Sequence, residues 1–494
     1  MSTAAHFQLP AGSSLPLRDQ ICQIIGEALA THVISPGQPL PSCRALAAQL
    51  GVSRNTVFAA YSKLADMGLV LSKDRSRHIA SPDGPPGSVV KGTREPPQPL
   101  ALSHLIPQPD RQPSALRRIE HPHDWSRYPY PFLYNQIDPA MFPLQGWRAC
   151  MRQALNVKRL AVWSSDAEGK DSAALVEQLC QRLLSRRGLK VRPDEILITA
   201  GAQNALFILG MLFRDAPGAI AVEDPGYPEA HNAFALAGNP VAAAELDAHG
   251  LIPDSIPNGT KAVHTTPSHQ FPTAVTMPLE RRRLLLEHAQ ARGMAVIEDD
   301  YEAEMNYRRD RLPALKALDD TGSVIYLGSL SKTVSPGLRL GFMVAHPDII
   351  RQARAIRRII LRQPPAMLQD AMAHFLALGH YDAHLRRLHR RYKTRWQDMA
   401  EAIATHLPGL VPQGPEGGTC FWLQGPDGLD TSVLEQRIKA RGVLFDNGPA
   451  FFADPAHGQG RFRLGFAAMP LKSIAPGIRI VGEEVAILMK SAHR

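Results

Sequence analysis

Lys332 stands in the string Gly328-Ser-Leu-Ser-Lys-Thr333, directly after an apolar run, with Ser329 and Ser331 beside it and Arg339 a little further on. A lone lysine after a strand is ordinarily a surface residue; hydroxyls and a guanidinium close by give this one the company that binds phosphate. Asp299 closes the run Ala295-Val-Ile-Glu-Asp and is followed by Asp300 and Tyr301. A cap or a metal-binding acid pair is the other reading of those carboxylates. Thr199-Ala-Gly201-Ala202-Gln203 turns from an apolar run into a helical pattern, and the free N–H groups at such a start form an anion cradle. Tyr227, in Glu223-Asp-Pro-Gly-Tyr-Pro228, offers a flat face for ring stacking. An amine for a Schiff base, an acid for a ring nitrogen, an aromatic face and phosphate donors are together what pyridoxal 5'-phosphate requires.

A second chemistry is written near the N-terminus, in Leu40-Pro-Ser-Cys-Arg-Ala-Leu-Ala-Ala-Gln-Leu-Gly-Val-Ser-Arg-Asn-Thr-Val-Phe-Ala-Ala-Tyr-Ser-Lys-Leu. Ser42 suits the N-cap of a helix with Ala45, Leu46 and Leu50 at helical spacing, and Gly51 suits the turn that ends it. Ser53 caps a second helix reaching about Met67, with Val57, Tyr61 and Leu64 as its inward stripe. Two short helices around a glycine turn are the helix-turn-helix pattern, whose second helix enters the DNA major groove by its N-terminal end. Arg54, Asn55 and Thr56 fall at that end, with side chains suited to base edges and phosphates. Gly68-Leu-Val-Leu-Ser then leads through Lys73, Arg75 and Arg77 to Ile79, which reads as a two-stranded wing with basic tips.

The elements that must carry these residues separate by composition. Residues 12–80 are compact and helical in spacing, a winged helix-turn-helix. Residues 81–120 hold Pro82, Pro85, Pro86, Pro96, Pro97, Pro99, Pro107, Pro109 and Pro113, a density that reads as an extended linker. Residues 121–494 alternate short apolar strands with helices, such as Glu195–Thr199, Ala219–Glu223 and Val324–Leu327, which predicts an α/β domain with a mostly parallel sheet covered on both faces. Hydrophobic residues make up 44% of the 494, enough for large cores, and no run is long enough to span a bilayer. Met1 to Pro10 lack the pattern of a signal peptide. The five scattered cysteines argue against a disulfide framework or a zinc site, so no metal is expected and the cytoplasm is the expected compartment. A net charge of +9 suits an acidic partner such as DNA. Part of it lies in residues 351–395, with eleven Arg or Lys against Asp370 and Asp382. That stretch reads as two long helices with solvated basic faces, or as a flank touching DNA phosphates.

The N-terminal string resembles the GntR family of winged-helix regulators. That resemblance implies that Arg44, Ser53, Arg54, Asn55 and Thr56 face DNA, with Lys73, Arg75 and Arg77 on the wing where the family usually has a glycine. The remainder is similar to fold type I aminotransferases, and the combination resembles the MocR-type (GabR-like) regulators. Its strings are Asp224-Pro-Gly-Tyr-Pro, Thr266-Pro-Ser-His-Gln-Phe-Pro-Thr273, Glu298-Asp-Asp-Tyr301, Ser329-Leu-Ser-Lys332, Pro336-Gly-Leu-Arg-Leu-Gly341 and Arg463-Leu-Gly-Phe466. The resemblance implies that Lys332 forms the internal aldimine, Asp299 pairs the ring nitrogen, Tyr301 contacts the ring hydroxyl, and Ser329 and Arg339 bind phosphate. Arg463 would anchor the carboxylate of an amino-compound effector. Aminotransferases read Asn-Pro-Thr-Gly where this chain reads Phe271-Pro-Thr-Ala274, which removes a partner of the ring hydroxyl. The expectation is a regulator that binds a double-stranded operator as a head-to-tail homodimer and senses an amino compound, or pyridoxal phosphate itself. A working aminotransferase with an accessory helical domain is the alternative.

Overall fold

The computed structural model describes residues 7–9, 15–31, 33–74, 77–82, 113, 116–164, 169–306, 312–410 and 417–492. The chain divides into two units, Met1–Ile106 and Pro107–Arg494.

In the first unit, helices α1 (Leu17–Ala30), α2 (Cys43–Leu50) and α3 (Arg54–Asp66) precede the antiparallel strands β1 (Val70–Asp74) and β2 (Arg77–Ala80). Ser42 Oγ accepts from the Ala45 amide at 3.2 Å and Ser53 Oγ from the Thr56 amide at 3.1 Å, so both expected caps form. Gly51, at φ 66°, supplies the left-handed residue that ends α2. The stripe on α2 differs from the expected one: Ala45 leaves it, and Cys43 and Ala47 join it. Cys43, Leu46 and Ala47 are buried and Leu50 is half-buried, while Ala45 faces out. Positions 43, 46, 47 and 50 share one helical face, and Ala45 lies a quarter-turn or more off it. Val57, Ala60, Tyr61 and Leu64 of α3 close the core against Ile21 and Ile25 of α1, and the Tyr61 hydroxyl donates to the Pro41 carbonyl at 2.9 Å.

The second unit has two sheets. The smaller joins β3 (Tyr130–Phe132) to three later strands. The larger holds β4 (Ile196–Thr199), β5 (Ala219–Asp224), β6 (Val241–Asp247), β7 (Gly250–Leu251), β8 (Thr260–Thr265), β9 (Ala295–Asp300), β10 (Val324–Ser329) and β11 (Gly341–Val344) in the order β4-β11-β10-β9-β8-β5-β6-β7. Strands β6, β5, β8, β9 and β10 run parallel, while β11 is antiparallel to both its neighbours and β7 to β6. Apart from β6, near the sheet's edge, these strands are almost wholly buried, with separate apolar clusters on the two faces, as near-continuous apolar runs require. The smaller sheet is ordered β12-β14-β13-β3, from β12 (Cys420–Gln424), β13 (Val443–Asn447) and β14 (Arg461–Gly465).

The basic stretch 351–395 fits the solvated reading in part: seven of its eleven Arg and Lys are exposed, but the helices number three and not two. It runs through three helices, Pro347–Leu361, Ala366–Ala377 and His380–His406, because Pro364 and Pro365 and then Gly379 interrupt it. Arg357 and Arg395 are buried, the first paired with Asp171 and the second with Asp138 at 2.7 Å; Arg354 also reaches Asp171, at 2.5 Å. Part of that charge is thus neutralised inside the unit. All five cysteines are free thiols. Among the described residues no helix is long and apolar enough to cross a membrane.

Candidate functional site

Strands β9 and β10 lie side by side in register, Leu327 opposite Asp299 and Gly328 opposite Asp300. Their carboxyl ends therefore deliver Asp299, Tyr301 and, one turn beyond β10, Lys332 to one place, where ligands of parallel α/β sheets bind. Lys332 lies in the short helix Ser331–Val334, and its amide donates to Ser329 Oγ at 3.3 Å. From β4 the chain turns at Gly201, φ 92°, into helix Ala202–Phe213, a conformation that only glycine adopts readily. Arg339, itself at φ 49°, points its guanidinium toward that helix start and donates to Gln203 Oε1 at 3.3 Å.

These pieces enclose a cavity of about 220 Å³. Its lining includes Gly201, Ala202, Gln203, Tyr227, Asp299, Tyr301, Ser329, Ser331, Lys332 and Arg339, all singled out from the sequence. Ser331 is the least available of them: its hydroxyl accepts from the Leu340 amide at 2.8 Å and donates to the Leu340 carbonyl at 3.1 Å. Among the described residues Asp299 Oδ1 is buried without a hydrogen-bond partner, and so is His264 Nε2, 3.7 Å from Asp299 Oδ2. Burial pushes the Lys332 ammonium down to about 7, against the pull of Glu302 and Asp299. Burial also raises the Tyr301 hydroxyl well above its ordinary range.

Arg463 does not line this cavity. It lines a smaller one that adjoins it at Lys332 and Tyr301, together with Glu302, Tyr392 and Thr419. Arg463 Nη1 donates to Asp446 Oδ2 at 2.8 Å. Burial opposes its charge, but Cys420 and Asp446 hold the guanidinium more firmly protonated than usual.

Sequence reasoning missed Tyr134, whose ring centre is 3.7 Å from Lys332 Nζ. No motif marks it; β3 brings it in by pairing with β13, far along the chain. His121, Asn135, Gln136 and Thr266 also line the cavity unforeseen. Phe271 was legible as a departure, and it packs edge-on to Tyr134, Tyr227 and Tyr301.

In the first unit Arg44, Ser53, Arg54 and Asn55 are exposed and Thr56 is half-buried, its hydroxyl 2.7 Å from Ser53 Oγ. Lys73 and Arg77 lie in β1 and β2, and Arg75 falls outside the described residues. Phe58, unforeseen, is 52% exposed one turn beyond Arg54 and Asn55 on the same face.

The molecule thus joins a helix-turn-helix unit to a fold type I aminotransferase unit. Residues 17–78 match the model for bacterial regulatory proteins of the gntR family, and residues 168–480 that for aminotransferase class I and II. The chain belongs to the GntR-family regulators of MocR type, which carry both. It is 39% identical to the HTH-type transcriptional regulator TauR of Rhodobacter capsulatus, over 96% of this chain and 97% of that one. It is 31% identical to the HTH-type pyridoxine biosynthesis transcriptional regulator PdxR of Corynebacterium glutamicum, over 81% of each. The crystal structure of LysN, the alpha-aminoadipate aminotransferase of Thermus thermophilus, complexed with N-(5'-phosphopyridoxyl)-L-leucine, superposes with a TM-score of 0.70. It is 28% identical and covers 79% of this chain and 100% of that one.

Proposed function

We propose that this protein is a transcriptional regulator that binds an operator through α3 and senses an amino compound through pyridoxal phosphate held at Lys332. The observation that carries it is one cavity in which a half-buried lysine, a buried carboxylate oxygen without a hydrogen-bond partner among the described residues, and a helix N-terminus beside an arginine converge. That donor set fits the cofactor: Asp299 Oδ1 for the ring nitrogen, Tyr301 for the ring hydroxyl, Tyr227 for a ring face. Ser329, Arg339 and the amides of Gly201, Ala202 and Gln203 suit the phosphate, with Ser331 shaping the loop between them.

When bound, pyridoxal phosphate supplies an aldehyde that amines attack and a ring that withdraws electrons. Lys332, its ammonium weakened by burial to about 7, keeps a substantial share of free amine near neutral pH. Asp299, buried, keeps a proton at the ring nitrogen. Phe271 gives the ring hydroxyl no hydrogen-bond partner where aminotransferases have asparagine, which favours sensing over turnover. Arg463, which lines the cavity adjoining Lys332, is the anchor for an effector carboxylate.

On α3, Arg54 and Asn55 read base edges and Phe58 offers an apolar contact suited to a thymine methyl, while Thr56, the cap residue Ser53 and Arg44 of α2 serve phosphates. Lys73, Arg75 and Arg77 add wing contacts to phosphate. One such unit covers only a short half-site, so a cytoplasmic homodimer, head-to-tail, is the working assembly, with residues 81–120 as the connecting segment.

Lys332→Ala tests the reading. The purified variant should lose the covalent cofactor absorbance completely and still shift operator DNA in a gel. A borohydride-trapped cofactor in that variant would sink the assignment.

A further inference from the structure

Residues 117–121, at the end of the segment that leads back to the DNA-binding unit, are seated on the large unit beside Lys332. Asn232 Nδ2 donates to the Arg117 carbonyl at 2.6 Å. Ile119 packs against the buried aromatic cluster of Phe271, Tyr301, Trp422, Phe451 and Phe452. Both Ile119 and His121 line the cavity itself.

His121 is also wired to the two groups that face Lys332. Its Nε2 is 2.8 Å from Asp446 Oδ1, and the Asp446 side chain is wholly buried. The same oxygen accepts from the Tyr134 amide at 3.3 Å, and the other oxygen accepts from Arg463. The Arg463 guanidinium in turn lies 5.2 Å from the Tyr134 ring centre, over which Lys332 Nζ sits. One carboxylate thus ties together the connecting segment, the aromatic ring against the lysine, and the effector arginine. A buried carboxylate with several partners couples them, because moving one changes the field and geometry felt by the others.

We propose that Ile119 and His121 form a latch: filling the cavity holds residues 117–121 in their seat, and emptying it loosens them. His121 acts as a positioning residue, holding Asp446 and through it Tyr134 and Arg463. The physical basis is reciprocity. Ile119 and His121 line the cavity, so whatever factor their seating adds to an occupant's affinity the occupant adds to their seating. Cavity occupancy would reach the segment that carries the DNA-binding unit without any change in the sheet. The latch rests on the assignment of pyridoxal phosphate to Lys332.

Trypsin can report the seat, since Arg117 and Arg118 lie within it. Full-length protein, stripped of cofactor or loaded with pyridoxal phosphate, is digested briefly, and the cuts after Arg117 and Arg118 are counted by mass spectrometry. Loading should slow those two cuts about fivefold or more. In His121→Ala the slowing should disappear, and half-saturation with pyridoxal phosphate should need several-fold more cofactor. His121→Gln, whose amide can occupy the place of Nε2, should recover part of both, and Ile119→Ser should repeat the loss of slowing by a different contact. Equal cutting with and without cofactor, in wild-type protein showing the full cofactor band, overturns the latch. So does slowing that persists in both His121→Ala and Ile119→Ser. Wild-type protein that develops no cofactor band refutes the Lys332 assignment, and the latch falls with it.

Discussion

Arg54, Asn55 and Phe58 reach the surface within two turns of one helix, whereas Tyr134, Gly201, Asp299 and the pair Lys332 and Arg339 come from four separate stretches of the chain. The proposed DNA-binding face is built by periodicity: caps at Ser42 and Ser53 start the helices, and Arg54, Asn55 and Phe58 fall on the side of α3 that does not point inward. The cavity is built by strand order, which sets carboxyl ends side by side regardless of distance along the chain. A surface of the first kind tolerates side-chain exchange without losing its fold. A site of the second kind transmits each change to its neighbours, as the ties among His121, Asp446, Arg463 and Tyr134 show.

The largest effect should come from the core that holds the DNA-binding face. Tyr61→Ala removes a fully buried ring and its bond to Pro41, at a cost of about 3–5 kcal/mol. Operator shifts should vanish while the cofactor band stays; loss of the band as well would break the contrast between two independently built regions. Next comes the face itself. Arg54→Ala should weaken operator binding by about 1–3 kcal/mol, unevenly among operator sequences. In the same gel-shift series Phe58→Ala should cost about 0.8 kcal/mol, and the loss should disappear on an operator carrying deoxyuridine in place of the contacted thymidine.

The cavity should answer to pH where the DNA-binding face does not. Burial lowers the folded Lys332 value to about 7, below its unfolded value, so the native state releases a proton that the unfolded state keeps. Lys332 therefore disfavours the folded apoprotein at and below pH 7, and stability is regained as pH rises from 7 toward the unfolded value. Only the neutral amine reacts, so cofactor capture by the apoprotein, followed by absorbance, should speed up about fivefold between pH 6 and 7. A flat profile would mean that Lys332 is not desolvated. The smallest effect belongs to Ala274, which holds φ 61° in the loop where aminotransferases carry glycine. Ala274→Gly should raise thermal stability by at most about 1 kcal/mol, since a methyl side chain is disfavoured in that conformation. A loss of stability on thermal melting would show that the methyl group's packing outweighs the strain.

What the sequence by itself determined is what nearest neighbours determine. The helix-turn-helix, its caps and stripes, the mostly parallel sheet, and the lysine, acid and arginine of the cavity were all legible, because a local period or a short string carries each. Where a local reading fell short, the shortfall was also local: Ala45 was placed on a face it does not share, and the burial of Arg357 and Arg395 within a mostly exposed basic run left no local sign because their partners Asp171 and Asp138 lie far back in the chain. Tyr134, His121 and the hub at Asp446 left no trace in any string. They meet because β3 pairs with β13, β13 with β14, and the sheet they form packs its inner residues toward the carboxyl end of β10. Chain neighbours cannot encode such a meeting; it exists only once the cores have closed, because burial of apolar surface, not local propensity, fixes which distant strands lie side by side.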